Sequence, residues 1–479
     1  MNPGPAQRRS NLVAWLVIAV VSALFIAQPM LDGGPDGSEK LAAEASVSAQ
    51  QAIMTSLVNG MCAEPIREAS GPQLSAMRPQ VESMAIADDP GSELATAALL
   101  TRLGARDRAL EMLTSLRDRV NGGEVEADDE FRATLDAAIE LVDAAKEPGT
   151  RNIPEEACSR VVDSLGATGR MLVAQARGDR DELARLEDAG MLVIVALFAV
   201  GTVAFLLGLV GLVMLLVFLV AAATGRTAGI DRQAGDWNHV YAEVFAAWLA
   251  SYLLFARVPS WAFGWWKGFG GPAPSQDLQL LASVGATVAA AAVGLWWGTA
   301  RGLPVRTMLD GIGLRRFGGM DLVWGVVTWS MGIVLLAVGV GIAFLLSALL
   351  GDGGMRASHP VQQMVQDAGG VGLLLTYSLA CVSAPLFEEI FFRGAMYRNL
   401  RIGLGRWGSL GSAAMSMLVS SVIFAAIHPQ GLVFIPVLGG LALAFCVMRE
   451  WRGSINASIV AHAINNGVVL TLNVLMLRG

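Results

Sequence analysis

Near the C-terminus, three clusters place ionisable or strongly hydrogen-bonding side chains inside apolar stretches. Glu388, Glu389 and Arg393 stand in APLFEEIFFRG, Phe424 and His428 in FAAIHP, and His462 and Asn466 in HAINN. A charge at the centre of a bilayer costs at least about 2.5 kcal/mol even on the lenient insertion scale, so each group is by default a candidate for function. Residues four apart on a helix share a face, so Glu389 can pair with Arg393 and lower the cost of burying both. Glu388, turned by about 100°, points elsewhere. That asymmetry predicts a structural carboxylate beside a working one. His462 and Asn466, also four apart, stack two hydrogen-bonding groups on one face. Phe424 sits one turn before His428 and is expected to pack beneath its ring.

A glutamate with two histidines is also a ligand set for zinc that leaves one position for water. Against a metal, the sequence has no H-E-x-x-H pair, and only these two of its histidines fall in apolar spans; His239 and His359 lie in predicted loops. No metal ligand is assigned and no cofactor is favoured, with a divalent metal such as zinc as the alternative. Each group taken singly also has a structural reading. Glu389 and Arg393 make a clamp, His428 before Pro429 satisfies a carbonyl at a helix end, and Asn466 before Gly467 joins two helices. Their joint occurrence favours a site.

The elements that must position them are membrane helices. The chain has 479 residues, 54% hydrophobic and 16% charged, with a mean hydropathy of +0.53. Soluble proteins carry roughly a quarter charged residues. Acidic residues concentrate in one segment near the N-terminus and no basic patch for nucleic acid emerges, despite the net charge of −7. A hydrocarbon core of about 30 Å needs on the order of 20 apolar helical residues. Nine stretches meet that length: 12–31, a run within 191–224, 241–258, 280–300, 322–350, 371–392, 413–427, 432–448 and 455–477. The second run is long enough to tilt or to continue beyond the membrane. For Glu388 and His428 to meet, the sixth helix must extend inward or the seventh must start below the membrane surface.

Positive residues in short loops stay on the cytoplasmic side. With Arg8 and Arg9 inside, the alternation places Arg226, Arg232, Arg301, Arg306, Arg315, Arg316, Arg398, Arg401, Arg406, Arg449 and Arg452 inside as well. The opposite loops hold only Arg257, Lys267 and Arg356. The expected fold is an all-α polytopic transmembrane bundle in the cell membrane, with a cytoplasmic N-terminus and one inserted helical extracytoplasmic domain. Residues 1–31 form an anchor, 32–188 the inserted domain, 189–320 further spans and 321–479 the part carrying the clusters. Within the inserted domain, ATAALLTRLGARDRALEMLTSL and LVAQARGDRDELARL show helical spacing, the first broken by Gly-x-x-Asp. Lacking a 34-residue period, they read as a plain helical bundle rather than a tetratricopeptide array. Cys62 and Cys158 both lie there, where a disulfide is allowed outside the cytoplasm.

The ordered set E-E-x-x-x-R, F-x-x-x-H and H-x-x-x-N on successive apolar helices resembles the three motifs of the CPBP family of intramembrane peptidases, which includes type II CAAX prenyl endopeptidases and bacteriocin-processing relatives. The resemblance covers about Asp321 to the C-terminus, including the lead-in GLRRFGGMDLVWG. It implies hydrolysis of peptide bonds in a membrane-embedded or membrane-associated substrate. Glu388 would be the general base, with His428 holding or deprotonating the water. His462 and Asn466 would donate to the oxyanion, and Glu389 with Arg393 would fix the helix. A non-catalytic scaffold or immunity-type protein of the same fold is the main rival. A transporter is the lesser one, for no internal repeat is visible.

Overall fold

A computed structural model of the chain describes residues 5–31, 51, 53–85, 89–230, 237–272, 274–350, 368–428 and 430–478. Arg232, Arg356 and His359 lie outside the described residues. The chain divides into two compact units, one of residues 1–42 and 203–473, the other of 43–202 and 474–479. Among the described residues there are only helices and their connections, and nine helices are long and apolar enough to cross a membrane. The protein is a polytopic helical bundle.

The unit around 43–202 holds helices α1 (Ile53–Cys62), α2 (Glu64–Glu82), α3 (Pro90–Arg102), α4 (Arg106–Asn121), α5 (Asp129–Ala144), α6 (Glu155–Leu165) and α7 (Ala167–Arg177). Local chemistry sets their starts. The Asp89 carboxylate accepts from the amides of Gly91 and Ser92, and Asp128 accepts from that of Phe131, satisfying donors that a first helical turn leaves free. The predicted break between α3 and α4 falls at Gly104, whose φ of +73° suits a residue without Cβ. Helix α4 then buries Ala109, Leu113, Leu116 and Val120, one apolar stripe at helical spacing. They join Leu99, Leu141, Val161 and Met171 in a single core. Cys62 and Cys158 are not joined in a disulfide.

The larger unit contains an N-terminal helix αN (Pro5–Leu31), then α8 (Arg180–Ala223), α9 (Asn238–Gly268), α10 (Gln276–Ala300), α11 (Val305–Ile312) and α12 (Gly319–Leu350). Helix α8 starts in the other unit, and its 44 residues amount to about 66 Å, twice the hydrocarbon thickness. The expected boundary at residue 188 falls inside it. Helix α13 (Gly370–Gly403), α14 (Gly408–Ala426), α15 (Ile435–Arg452) and α16 (Asn456–Arg478) carry the three clusters. Close crossing of α12 and α15 depends on Gly339 and Gly440. A Cβ on Gly339 would stand 2.2 Å from the Pro436 carbonyl, and one on Gly440 2.3 Å from that of Leu335. Without a hydrophobic drive between helices in lipid, such close approach is what holds them.

Helix α13 departs from the sequence expectation. It does not stop at Phe392 but runs on to Gly403, and its ladder opens into π turns at Leu379–Ser383 and Glu389–Met396. From Glu388 to Gly403 the helix covers about 22 Å, and α14 returns about 27 Å from Gly408 to Ala426. Extension of the sixth helix is therefore how Glu388 and His428 come to the same depth.

Candidate active site

Glu388 and Glu389 are neighbours in sequence with opposite commitments. Glu389 is wholly buried, and its Oε1 accepts from Arg393 Nη1 at 2.9 Å, the predicted i to i+4 pair, with both side chains at 0% exposure. Arg393 Nη2 also donates to the Ala442 carbonyl of α15 at 3.2 Å, tying α13 to its neighbour. The guanidinium lies 4.4 Å from the Phe424 ring and 5.0 Å from that of Phe445, contacts that stabilise a desolvated cation. Glu388 stays 20% exposed, and its Oε2 lies 3.9 Å from Nε2 of both His428 and His462. That oxygen has no hydrogen-bond partner among the described residues.

The two rings are fixed by their other nitrogens. His428 Nδ1 lies 2.6 Å from the Phe424 carbonyl. A carbonyl only accepts, so Nδ1 carries the proton, and Nε2 of the neutral ring is an acceptor. The sequence offered a helix-end carbonyl as a bland role for His428; here that bond also sets the ring. Phe424 packs against it with centroids 4.5 Å apart. His462 Nδ1 lies 3.1 Å from Glu389 Oε1, so the structural carboxylate also orients the second histidine. Phe445 stacks on His462 at 5.3 Å. Asn466 Nδ2 donates to the Ala380 carbonyl at 2.8 Å, in the first π turn, where the ladder shifts its partners. One of its two amide hydrogens remains for another acceptor. All seven residues of the three clusters thus fall in one region, although the Asn466 amide is partly spent on backbone.

Residues 370–468 match the Rce1-like family of type II CAAX prenyl endopeptidases. A stretch of 123 residues is 25% identical to the membrane-embedded CAAX protease MroQ of Staphylococcus aureus (strain USA300), covering 26% of this chain and 48% of that protein. The chain thus spans about half the length of this curated relative. No solved structure matches. The matched residues 370–468 contain every residue of the site described above.

Several partners of these residues carried no local signal. Phe445 and the Ala380 carbonyl are brought in by packing alone. Arg398, Arg401 and Arg449, expected as loop charges, instead lie in helices and are buried. Arg401 pairs with Glu450 at 2.9 Å, Tyr397 donates to the same carboxylate at 2.8 Å, and Arg449 Nη2 donates to the Gly311 carbonyl at 2.9 Å. Glu450 among arginines in VMREWR was the one available hint. Glu243 is likewise buried, against Arg301 Nε at 2.7 Å and Trp297 Nε1 at 3.1 Å, with the Ser10 hydroxyl as a further donor.

Zinc ligands bonded at about 2.1 Å in a tetrahedron stand about 3.4 Å apart. The 3.9 Å separations at Glu388 are wider, and no group of three His, Cys, Asp or Glu among the described residues has metal-holding spacing. Those separations suit a water bonded at about 2.8 Å to the carboxylate and to one ring nitrogen.

Proposed function

We propose that the protein is an intramembrane endopeptidase that hydrolyses a peptide bond of a membrane-embedded or membrane-associated protein by glutamate-activated water, without a metal. The observation that carries this reading is the unpartnered Oε2 of Glu388 facing the Nε2 atoms of His428 and His462. Glu388 takes a proton from water, and His428 Nε2, held as an acceptor, orients that water through its second hydrogen. The hydroxide attacks the carbonyl carbon, and the proton passes to the leaving amine. His462, its ring held at Nδ1 by Glu389, turns Nε2 toward the developing oxyanion and donates to it as the imidazolium. The remaining Asn466 hydrogen supplies a second donor. Such donors are commonly worth about 2.7–4 kcal/mol each.

In this reading the arginine-rich ends of the spans face the cytoplasm, the N-terminus is cytoplasmic, and residues 32–188 lie on the far side. The test is cleavage of membrane peptides by detergent-purified protein, with wild type compared to Glu388→Gln and His462→Ala, each with and without a chelator. Cleavage lost in both variants and indifferent to chelation is expected. Undiminished cleavage by Glu388→Gln would sink the assignment, and chelator-sensitive cleavage restored by zinc would replace the metal-free mechanism.

A further inference from the structure

Helix α14 carries a second line of buried polar groups that peptide hydrolysis at Glu388 does not use. Ser412, Ser416 and Ser420 recur at every fourth residue and are each at 0% exposure. The next positions in the series are Phe424 and His428, so the line points at the site. Thr328, Ser330, Thr376 and Ser378 in neighbouring spans turn their hydroxyls back to the carbonyl four residues earlier. Ser416 and Ser420 do not, and their buried Oγ atoms have no hydrogen-bond partner among the described residues.

Both ends of the line meet polar groups. Ser412 accepts from Arg401 Nη1 at 3.0 Å and donates to the Arg401 carbonyl at 2.7 Å, while Arg401 Nη2 donates to Ser409 at 3.1 Å. Ser409 is exposed at the start of α14. At the other end the Ser421 hydroxyl lies 4.0 Å from the Cys446 thiol. Ser420 also lies against the same thiol, a weak partner, and the thiol is within electrostatic reach of Arg393 and Glu389. Arg393 Nε and Glu389 Oε2 are likewise fully buried and without hydrogen-bond partners among the described residues.

We propose that these groups line a water wire running from Ser409 to the Glu389–Arg393 pair behind the site. Hydroxyls one helical turn apart are separated by about 5–6 Å, beyond the roughly 4.6 Å that one water spans, so a pair of hydrogen-bonded waters bridges each gap. Buried waters gather where several otherwise unsatisfied polar atoms converge, and the two serine hydroxyls, Arg393 Nε and Glu389 Oε2 are such a set. The wire keeps the Glu389–His462 pair in proton exchange with the aqueous phase. Its catalytic use rests on the peptidase reading; its hydration does not.

The Cys446 thiol reports on the wire without any need for substrate. In the full chain with Cys62, Cys158 and Cys381 replaced by Ala, infrared spectroscopy follows loss of the remaining S–H band after transfer to D2O. Exchange is expected to slow about tenfold in Ser416→Val/Ser420→Val, which fills the path. Equal rates with and without the valines, fast or slow, overturn the proposal. Should the valine pair fail to fold, Ser416→Ala/Ser420→Ala decides by its thermal midpoint. Removing dry, unsatisfied hydroxyls raises the midpoint and overturns the proposal, whereas removing hydrated ones leaves it unchanged or lowers it, as expected here.

Discussion

Ion pairs in the 43–202 unit and in the helix bundle use the same residue types to different ends. In the first, Arg108–Glu111 at 2.7 Å and Arg185–Glu182 at 3.1 Å lie on helix surfaces, every one of the four side chains in contact with water. Such pairs contribute about 0.2–1 kcal/mol and are readily replaced. In the bundle, Glu389–Arg393 and Arg401–Glu450 are almost wholly removed from solvent. There each charge is bound to its partner, because an unpaired one would be intolerable. A charge that is not bound stands out against that background, and Glu388 is the one at the site. The lesson is that function in the bundle is read from the ionisable group its neighbours leave unsatisfied, not from the presence of charge.

Replacing Glu388 and replacing Arg393 are expected to separate those two roles. Glu388→Gln keeps the shape and removes the base, so cleavage should fall about 10²- to 10⁴-fold with an unchanged thermal midpoint. A midpoint that falls with the activity would make Glu388 structural and erase the contrast with Glu389. Arg393→Met should do the reverse first. It strands the Glu389 carboxylate, costing about 3–5 kcal/mol of stability, which detergent thermal unfolding would register. The double variant Glu389→Gln/Arg393→Met should recover part of that loss. No recovery would mean that the pair matters through its contacts with Phe424 and Ala442 rather than its charge.

How much of this contrast was legible beforehand depends on the range of the interaction. The Glu389–Arg393 pair is one helical turn long, and spacing alone announced it. The spans were legible because each must be apolar over a fixed length, and all nine expected positions fall on helices of the required length and composition. The three clusters converge because successive spans return to similar depth. The π turns were not legible: i to i+5 bonding leaves no compositional mark around Leu379 or Glu389. Nor was the inward turn of Arg398, Arg401 and Arg449, since a loop arginine and a buried one look alike until Glu450 and the Gly311 carbonyl are in place. The stacking of Phe445 on His462 joins residues of different helices and exists only in the packed bundle.

In the helical unit the larger effects should come from packing rather than charge. Leu113→Ala opens the core shared by α3, α4 and α5, where Leu113 has no exposed surface. A loss of about 2–5 kcal/mol is expected, against under about 1 kcal/mol for Arg108→Ala, which breaks a surface pair. Comparable losses in denaturant titrations of the full chain would show that charge matters as much here as in the bundle.

The smallest expected effect is also the most specific. Arg151 and Arg106 both donate to Asp143, Nη1 of the first at 2.5 Å and Nη2 of the second at 2.8 Å. Those hydrogen bonds, Arg151 first, hold its carboxyl below the usual aspartate range. A carboxylate whose folded value is depressed adds stability that is fully present above its unfolded value of about 3.9 and is lost as pH falls through the folded value. Asp143→Asn should therefore lower the thermal midpoint slightly at neutral pH, and the gap to wild type should close on acidification below about pH 4. With the side chain 37% exposed, water screens both bonds and keeps the gap small. A gap that persists unchanged in acid would mean that Asp143 acts through shape, as the buried pairs of the bundle do in part, and the division between the two regions would then be one of degree.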